Sequence, residues 1–182
     1  MTQHAIAFYS PYPGAGKTLA ARAFCAIRTN WHKLSFADPL YAMITELMRG
    51  INVQGVGERV HDVKSYPIQE WGGATIRDML VGLGDAARKI APDVFVETMR
   101  HRLRSPGYDW VGIDDLRFPN EYEMLRQEQV KIVRIVNPER GIVPSTTEAL
   151  LEGYRFDAVI MNVKGGRQTL ADQVREVVSR FW

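Results

Sequence analysis

The chain has 182 residues, 46% of them apolar and 24% charged, with a formal net charge of +2. That balance fits one globular domain with a full core and offers no electrostatic reason to expect a polyanionic partner. No apolar run approaches the ~18 residues that cross a bilayer, no basic stretch leads into an apolar signal segment, and Cys25 is the single cysteine, which excludes an internal disulfide. The expectation is a cytoplasmic protein with no membrane partner.

The most informative segment comes first. An apolar run, Ala5-Ile6-Ala7-Phe8-Tyr9, leads into Ser10-Pro11-Tyr12-Pro13-Gly14-Ala15-Gly16-Lys17-Thr18, and a helix-favouring stretch follows. Strand, glycine-bearing turn, Gly-Lys-Thr and helix is the layout of a phosphate-binding loop. Glycines let backbone N–H groups close around phosphate oxygens, and the helix N-terminus adds partial positive charge. In such a loop Lys17 reaches the terminal phosphates and the Thr18 hydroxyl ligates Mg²⁺. The candidate nucleotide-phosphate site is therefore Pro13, Gly14, Ala15, Gly16, Lys17, Thr18 and Leu19. Pro11 stands where the full pattern has its first glycine; it offers no N–H and cannot take a positive φ. The competing reading is a Gly-Lys-Thr turn that merely opens a helix.

Further along, short apolar strands alternate with helical patterns, the rhythm of an α/β fold with a mainly parallel sheet. The strand candidates are residues 4–10, 33–37, 109–114, 131–136 and 157–161, all reading as buried on both faces. Asp38 followed by Pro39 reads as an N-cap with proline at the first helical position; Asp38 is equally a ligand contact at the end of the second strand. Residues 50–73 are the least regular part and hold five glycines, Lys64, Pro67 and Trp71; a segment of this kind in a compact domain is often functional. Tyr66 and Trp71 could stack on a base or anchor the loop on the core. A long helix begins near Thr75 with Ile76, Leu80, Leu83, Ala87 and Ile90 facing the core. Arg77 and Arg88 share a face of it, about 16 Å apart along the axis at ~1.5 Å per residue, so they cannot grip one phosphate together. Arg77 is the better substrate contact; Arg88 serves either the phosphoryl-transfer zone or a salt bridge.

The third strand delivers Asp114 and Asp115 to its carboxyl end, where ligands bind in open α/β sheets. Asp114 is the first candidate to hold Mg²⁺ and Asp115 the second, one of the two being a turn or cap residue. Arg117 follows at the same rim, and a guanidinium grips phosphate oxygens through paired N–H groups. Asn120 with Glu123, and Thr169 with Asp172, fit capping pairs. Residues 137–145 form a second loop-like segment in which Arg140 is a candidate to arrive over the nucleotide on closure. The final helix places Leu170, Val174, Val177, Val178 and Phe181 on one stripe. Cys25 reads as core, and His4, His32, His61 and His101 show no metal-ligand spacing. No long basic stripe with interleaved aromatics appears, so nucleic acid is not an expected partner.

Several segments together resemble the phage-type deoxynucleoside monophosphate kinases. Phe36-Ala37-Asp38-Pro39-Leu40-Tyr41 resembles their FADPLK-type segment, and Gly73-Ala74-Thr75-Ile76-Arg77-Asp78-Met79-Leu80 their g-x-T-x-R-x-x-L helix start. Leu83-Gly84-Asp85 with Arg88 resembles their L-G-[TD] segment. Asp115-Leu116-Arg117-Phe118-Pro119-Asn120-Glu121 resembles D-x-R-F-P-N-E, the most specific of the set, and residues 156–162 resemble the closing D-x-x-I-x-N strand. The similarity runs nearly end to end and in order. It implies a P-loop kinase three-layer sandwich, a five-stranded sheet with helices on both faces, a substrate-binding insertion and helix over residues 50–90, and a lid-like segment over 137–150. It implies transfer of a phosphoryl group from ATP, with Mg²⁺, to a deoxynucleoside 5′-monophosphate in the host cytoplasm.

By the same resemblance Gly14 to Thr18 hold the ATP phosphates and Mg²⁺, and Asp38, Arg77 and Arg117 line the acceptor side. Together with the reading of the residues above, the expected catalytic groups are Lys17, Arg117, Arg140 and Asp114, the metal ligands Thr18 and Asp114, and the further acceptor-side residues Lys64, Trp71 and Arg88. Residues 162–166, with Asn162 and Lys164, lie near the adenine, and a homodimer is compatible with the family. Asp85 stands where many relatives have threonine, and residues 145–148 lack the family's histidine. The rival readings are a P-loop kinase of another small acceptor, such as a modified nucleotide or dephospho-coenzyme A, and a nucleotide-binding module without turnover.

Overall fold

In the computed structural model the described residues are 4–27, 30–51, 64–139, 149–166 and 168–182. Arg140 and most of the 137–150 segment, and residues 52–63 of the irregular segment, lie outside them. The chain divides into two compact units, Met1–Ser35 with Val96–Trp182, and Phe36–Phe95. The expected insertion at 50–90 is thus part of a larger unit that already begins at residue 36.

The first unit holds the sheet. Strands β1 (His4–Tyr9), β2 (His32–Leu34), β3 (Trp110–Ile113), β4 (Lys131–Val136) and β5 (Ala158–Met161) lie in the order β2-β3-β1-β4-β5, and every pairing is parallel. All five expected strands are present, the second shorter than expected and the sheet wholly parallel. Helices α1 (Lys17–Cys25) and α6 (Leu170–Phe181) cover one face. There Ala20, Ala21, Phe24 and Cys25 of α1 and Leu170, Val174, Val177 and Val178 of α6 pack on Ile6, Phe8, Val133, Ile135 and Ile160. Residues of opposite parity, Ala7, Val111, Ile113 and Ile132, are equally buried, which is why the strands read as continuous apolar runs. Gly112 is required where α1 crosses β3: a Cβ there would stand 3.1 Å from Cys25 Sγ and 3.3 Å from the Ala21 carbonyl oxygen.

Capping fixes where the helices start. Thr169 and Asp172 form the expected box on α6. Helix α5 (Pro119–Gln127) starts earlier than the Asn120–Glu123 pair implies. Pro119 takes the first position, and buried Glu121, not Glu123, accepts the Phe118 N–H at 3.1 Å. Proline lacks an N–H that the first turn could not use anyway, so the helix begins there. At the amino ends of the strands, His4 stacks on Trp110 at 4.4 Å and meets Trp182 edge-on at 4.9 Å. Along the edge strand, the Gln173 amide meets both the N–H and the C=O of Met161, satisfying backbone groups that would otherwise invite another strand.

The second unit carries α2 (Asp38–Gly50), a 3₁₀ turn (Gln69–Trp71) and α3 (Ile76–Ile90); α4 (Val94–Arg104) opens at its end. Ala37 rather than Asp38 is the N-cap of α2, placing Pro39 within the first turn. Thr75 and Asp78 close a capping box on α3. Thr75 donates to the Asp78 carboxylate and holds its pKa below the usual range. The core is Ile44, Met48 and Ile76, with Trp71, Leu80 and Leu83 packed against it. Ile90 is 87% exposed, against expectation. This core sits at the amino-terminal half of α3, and Ile90 is the last helical residue.

Cys25 is fully buried, and burial pushes its thiol up to about 11. At pH 8 it is therefore protonated as well as shielded. Titration of native protein with a chromogenic disulfide reagent at pH 8 is expected to register no thiol, and one per chain after addition of guanidinium.

Candidate active site

The site begins at the carboxyl end of β1, the central strand. Ser10 is fully buried, and the chain turns through Pro11, itself buried, with the Tyr12 N–H on Ser10 Oγ at 3.3 Å. The two left-handed residues of the loop are Gly14 (φ 72°) and Gly16 (φ 110°). The conformation that proline cannot take is thus required only where glycine stands. Gly16 is held by space as well as by φ. An added Cβ would stand 2.7 Å from Asn162 Nδ2 and 3.1 Å from Leu170 Cδ2. Asn162 is that close because its amide donates to the Ala15 carbonyl at 2.9 Å, tying the chain after β5 to the loop.

Gly16 is the N-cap of α1, and no acidic residue occupies the first turn. Nothing in that turn neutralises the positive end of the helix, which favours an anion. Lys17 is 9% exposed, and its ammonium donates to the Ser10 carbonyl at 3.0 Å. One side chain therefore links the two ends of the loop. Thr18 and Leu19 are exposed at the first turn, as are Pro13 and Gly14 before it.

Beside β1, β3 ends at Ile113 and Asp114 follows. Leu34 pairs with Ile113, and Ala7 pairs with Ile113, so Ser35, Asp114 and Phe8 come next in adjacent strands. Strand alternation puts Asp114 on the side of Gly112, the side covered by α1. Asp114 is 8% exposed; its Oδ1 accepts from Ser35 Oγ at 2.6 Å and from Lys33 Nζ at 3.4 Å. Arg117 is exposed, and its backbone is fixed by Glu121, which is 2% exposed and accepts the Arg117 N–H at 2.9 Å. Asp115 is half-buried. Lys164 is exposed, and its N–H donates to Glu139 Oε1 at 3.2 Å.

The first unit thus joins Asn162 to the loop of residues 13–19, sets Asp114 at the end of the strand beside β1, and also holds Arg117. Asp38, Lys64, Trp71, Arg77 and Arg88 belong to the second unit. There Arg77 is exposed at the start of α3 and its N–H donates to the Lys64 carbonyl at 2.8 Å. Asp38 opens α2, and Trp71 packs on the Ile44, Met48 and Ile76 cluster. The Arg88 guanidinium lies 4.7 Å from the Phe95 ring centre. A Cβ at Gly84 would approach Arg88 Nη1 to 3.1 Å, so Gly84 leaves the room in which Arg88 folds back along its own helix.

Sequence reasoning did not single out Ser10, Lys33, Ser35 or Glu121. Glu121 could have been found, since it closes the D-x-R-F-P-N-E segment. The Tyr9 hydroxyl donates to Glu152 Oε1 at 3.4 Å, and burial, then the negative charge of Glu152, push its pKa above the ordinary tyrosine range.

Among the described residues no three His, Cys, Asp or Glu side chains gather around one point, so those residues build no metal cage of their own. A Mg²⁺ ion that arrives on phosphate oxygens needs only one or two protein ligands, and the hydroxyl and carboxylate of Thr18 and Asp114 are of the right chemistry. No helix among the described residues is long and apolar enough to cross a membrane. No protein-family model matches the chain, and no curated protein matches it in sequence.

The double demand on Gly16 gives a direct check. Gly16→Ala is expected to lower stability by about 2 kcal/mol, from the positive φ and the contact with Asn162. Thermal melts of the purified variant against the parent check this.

Proposed function

We propose that this protein is a Mg²⁺-dependent P-loop kinase that transfers the γ-phosphoryl group of ATP to a deoxynucleoside 5′-monophosphate. The observation that carries the reading is the loop at the end of β1. Left-handed Gly14 and Gly16 open the N-terminus of α1, and the buried Lys17 ammonium is folded onto the Ser10 carbonyl. A buried lysine held on a neutral carbonyl can exchange that acceptor for phosphate oxygens, which bind an ammonium more strongly. The nature of the acceptor rests on the resemblance in residues 36–41, 73–80, 83–88, 115–121 and 156–162.

Phosphoryl transfer asks a protein for positioning and charge neutralisation rather than covalent chemistry. An oxygen of the acceptor phosphate attacks the γ-phosphorus in line. The bond from that phosphorus to the bridging oxygen breaks, and its electron pair leaves with ADP. The attacking oxygen is already anionic, so no strong base is needed. Backbone N–H groups of residues 14–18 hold the phosphates, and Lys17 neutralises charge as the bond breaks. Thr18 and Asp114 would hold Mg²⁺, whose contribution is to offset phosphate charge. Arg117, fixed through Glu121, grips phosphate oxygens. Arg77, Asp38, Lys64 and Trp71 serve the acceptor, with Arg88 and Arg140 as further cations and Asn162 and Lys164 on the nucleotide side.

With ATP and Mg²⁺, at least one deoxynucleoside monophosphate in a panel of natural and modified bases is expected to yield its diphosphate. Lys17→Ala should reduce turnover at least ~10²-fold while the variant still folds and unfolds cooperatively in thermal melts. ATP binding with no acceptor phosphorylated would instead assign a binding module, and turnover of another small acceptor alone would move the enzyme to a different substrate class.

Gly84→Ala separates positioning from stability. Replacing a mid-helix glycine by alanine gains up to ~1 kcal/mol in propensity, offset by the close approach of the new methyl to Leu40 Cδ1 at 3.3 Å, while the same methyl displaces Arg88. The expected result is a melting temperature close to the parent's and a turnover number that falls.

A further inference from the structure

One residue paired with the candidate metal ligand Asp114, Lys33, has no part in the proposed reaction. Lys33 Nζ donates to Ser35 Oγ at 3.0 Å and to Asp114 Oδ1 at 3.4 Å, and Ser35 Oγ donates to the same Oδ1 at 2.6 Å. Ser35 and Asp114 are buried, whereas the Lys33 side chain is 26% exposed. Both donors converge on one carboxylate oxygen; among the described residues no donor meets Oδ2. A carboxylate this buried is costly without a compensating cation. Lys33 supplies that charge from the neighbouring strand, two positions before Ser35 and so on the same face of β2.

We propose that Lys33 is a positioning residue, a resident counter-cation that neutralises and orients Asp114 and thereby sets how tightly the site takes a divalent metal. The inference rests on the reading of Asp114 as a metal ligand. Lys33 and the metal are both cations drawn to one carboxylate, and their mutual repulsion weakens metal binding. Ser35 fixes Oδ1 by a short bond and turns the carboxylate so that Oδ2 is the oxygen left for the ion. Removing Lys33 therefore has two opposed effects: the metal-free protein loses stability, and the metal binds more tightly. A salt bridge with a structural role alone would produce only the first.

The experiment uses the full chain and four variants: Lys33→Met, Lys33→Arg, Asp114→Asn and the Lys33→Met/Asp114→Asn double. Thermal melts in EDTA test the pair. Lys33→Met is expected to lower the melting temperature by about 3 °C, Lys33→Arg to restore it, and Lys33→Met to have no further effect in the Asp114→Asn background. Mn²⁺ titration followed by paramagnetic resonance, with ATP bound, tests the metal. Lys33→Met is expected to tighten Mn²⁺ about five-fold, the scale of a partly exposed ion pair. Lys33→Arg should stay near the parent value, and Asp114→Asn should weaken Mn²⁺. Unchanged or weaker Mn²⁺ binding in Lys33→Met, or equal destabilisation in both backgrounds, overturns the role of Lys33. Unchanged Mn²⁺ binding in Asp114→Asn overturns the inference through the premise beneath it. Neither readout depends on acceptor turnover, so a failure of the kinase reading is seen separately in the acceptor panel.

Discussion

The short reach between the Lys17 ammonium and the Ser10 carbonyl organises the first unit. Lys17 is the first residue of α1, and Ser10 lies just beyond the last residue of β1. The bond can form only if the six intervening residues turn back tightly, which forces left-handed backbone at Gly14 and Gly16. The approach of Asn162 and Leu170 then leaves no room for a Cβ at Gly16. Two demands, one conformational and one steric, fall on the same residue, and both disappear if the loop opens. The proline at the mouth of the loop is absorbed because its position needs neither a positive φ nor a donor.

Sheet order puts this loop where other groups can join it. Starting from β1, the chain goes to β2, returns to β3 alongside β1, and then crosses to β4 on the other side. Parallel strands direct all their carboxyl ends to one rim, and the reversal of direction at β1 opens a crevice there. Asp114 follows β3, the neighbour of β1, and Arg117 lies three residues on. Neither is placed by its own loop alone. Asp114 is turned by Ser35 and Lys33 from β2, and the Arg117 backbone is held by a buried carboxylate from the first turn of α5. The chemistry-bearing groups are thus fixed by polar contacts that are themselves largely buried, the condition under which such contacts orient most firmly.

What could be read from sequence follows how local each feature is. The strand, glycine-bearing turn and helix of residues 4–25 were legible because strand, glycines, lysine and helix follow one another without a gap. The strands were legible because burial on both faces leaves unbroken apolar runs, and α6 because Thr169, Asp172 and one apolar stripe agree. Helix starts near proline slipped by one or two residues: at α5 the capping carboxylate came from Glu121, and at α2 the cap fell on Ala37. The burial expected of Ile90 failed because helical periodicity says which face is apolar, not how far the neighbouring core extends. The Lys33, Ser35 and Asp114 cluster joins residues about eighty apart in the chain, and no short motif could have revealed it. Nor does composition change at residue 36, where the second unit begins.

Two buried carboxylates lie among the described residues of the first unit, and each is tied to a donor of its own. Glu121 is occupied by the backbone N–H groups of Arg117 and Phe118, so its charge is spent on the loop that presents the arginine. Asp114 is matched at Oδ1 by a hydroxyl and an ammonium. Against them stand the N-terminal turn of α1, without an acidic residue, and the ammonium of Lys17. The acids are tied to holding cations and backbone in place, while the helix end and the lysine face the loop. That arrangement favours an anion over a cation at the loop. On the kinase reading, the remaining oxygen of Asp114 would act only with a cation that comes with the phosphates.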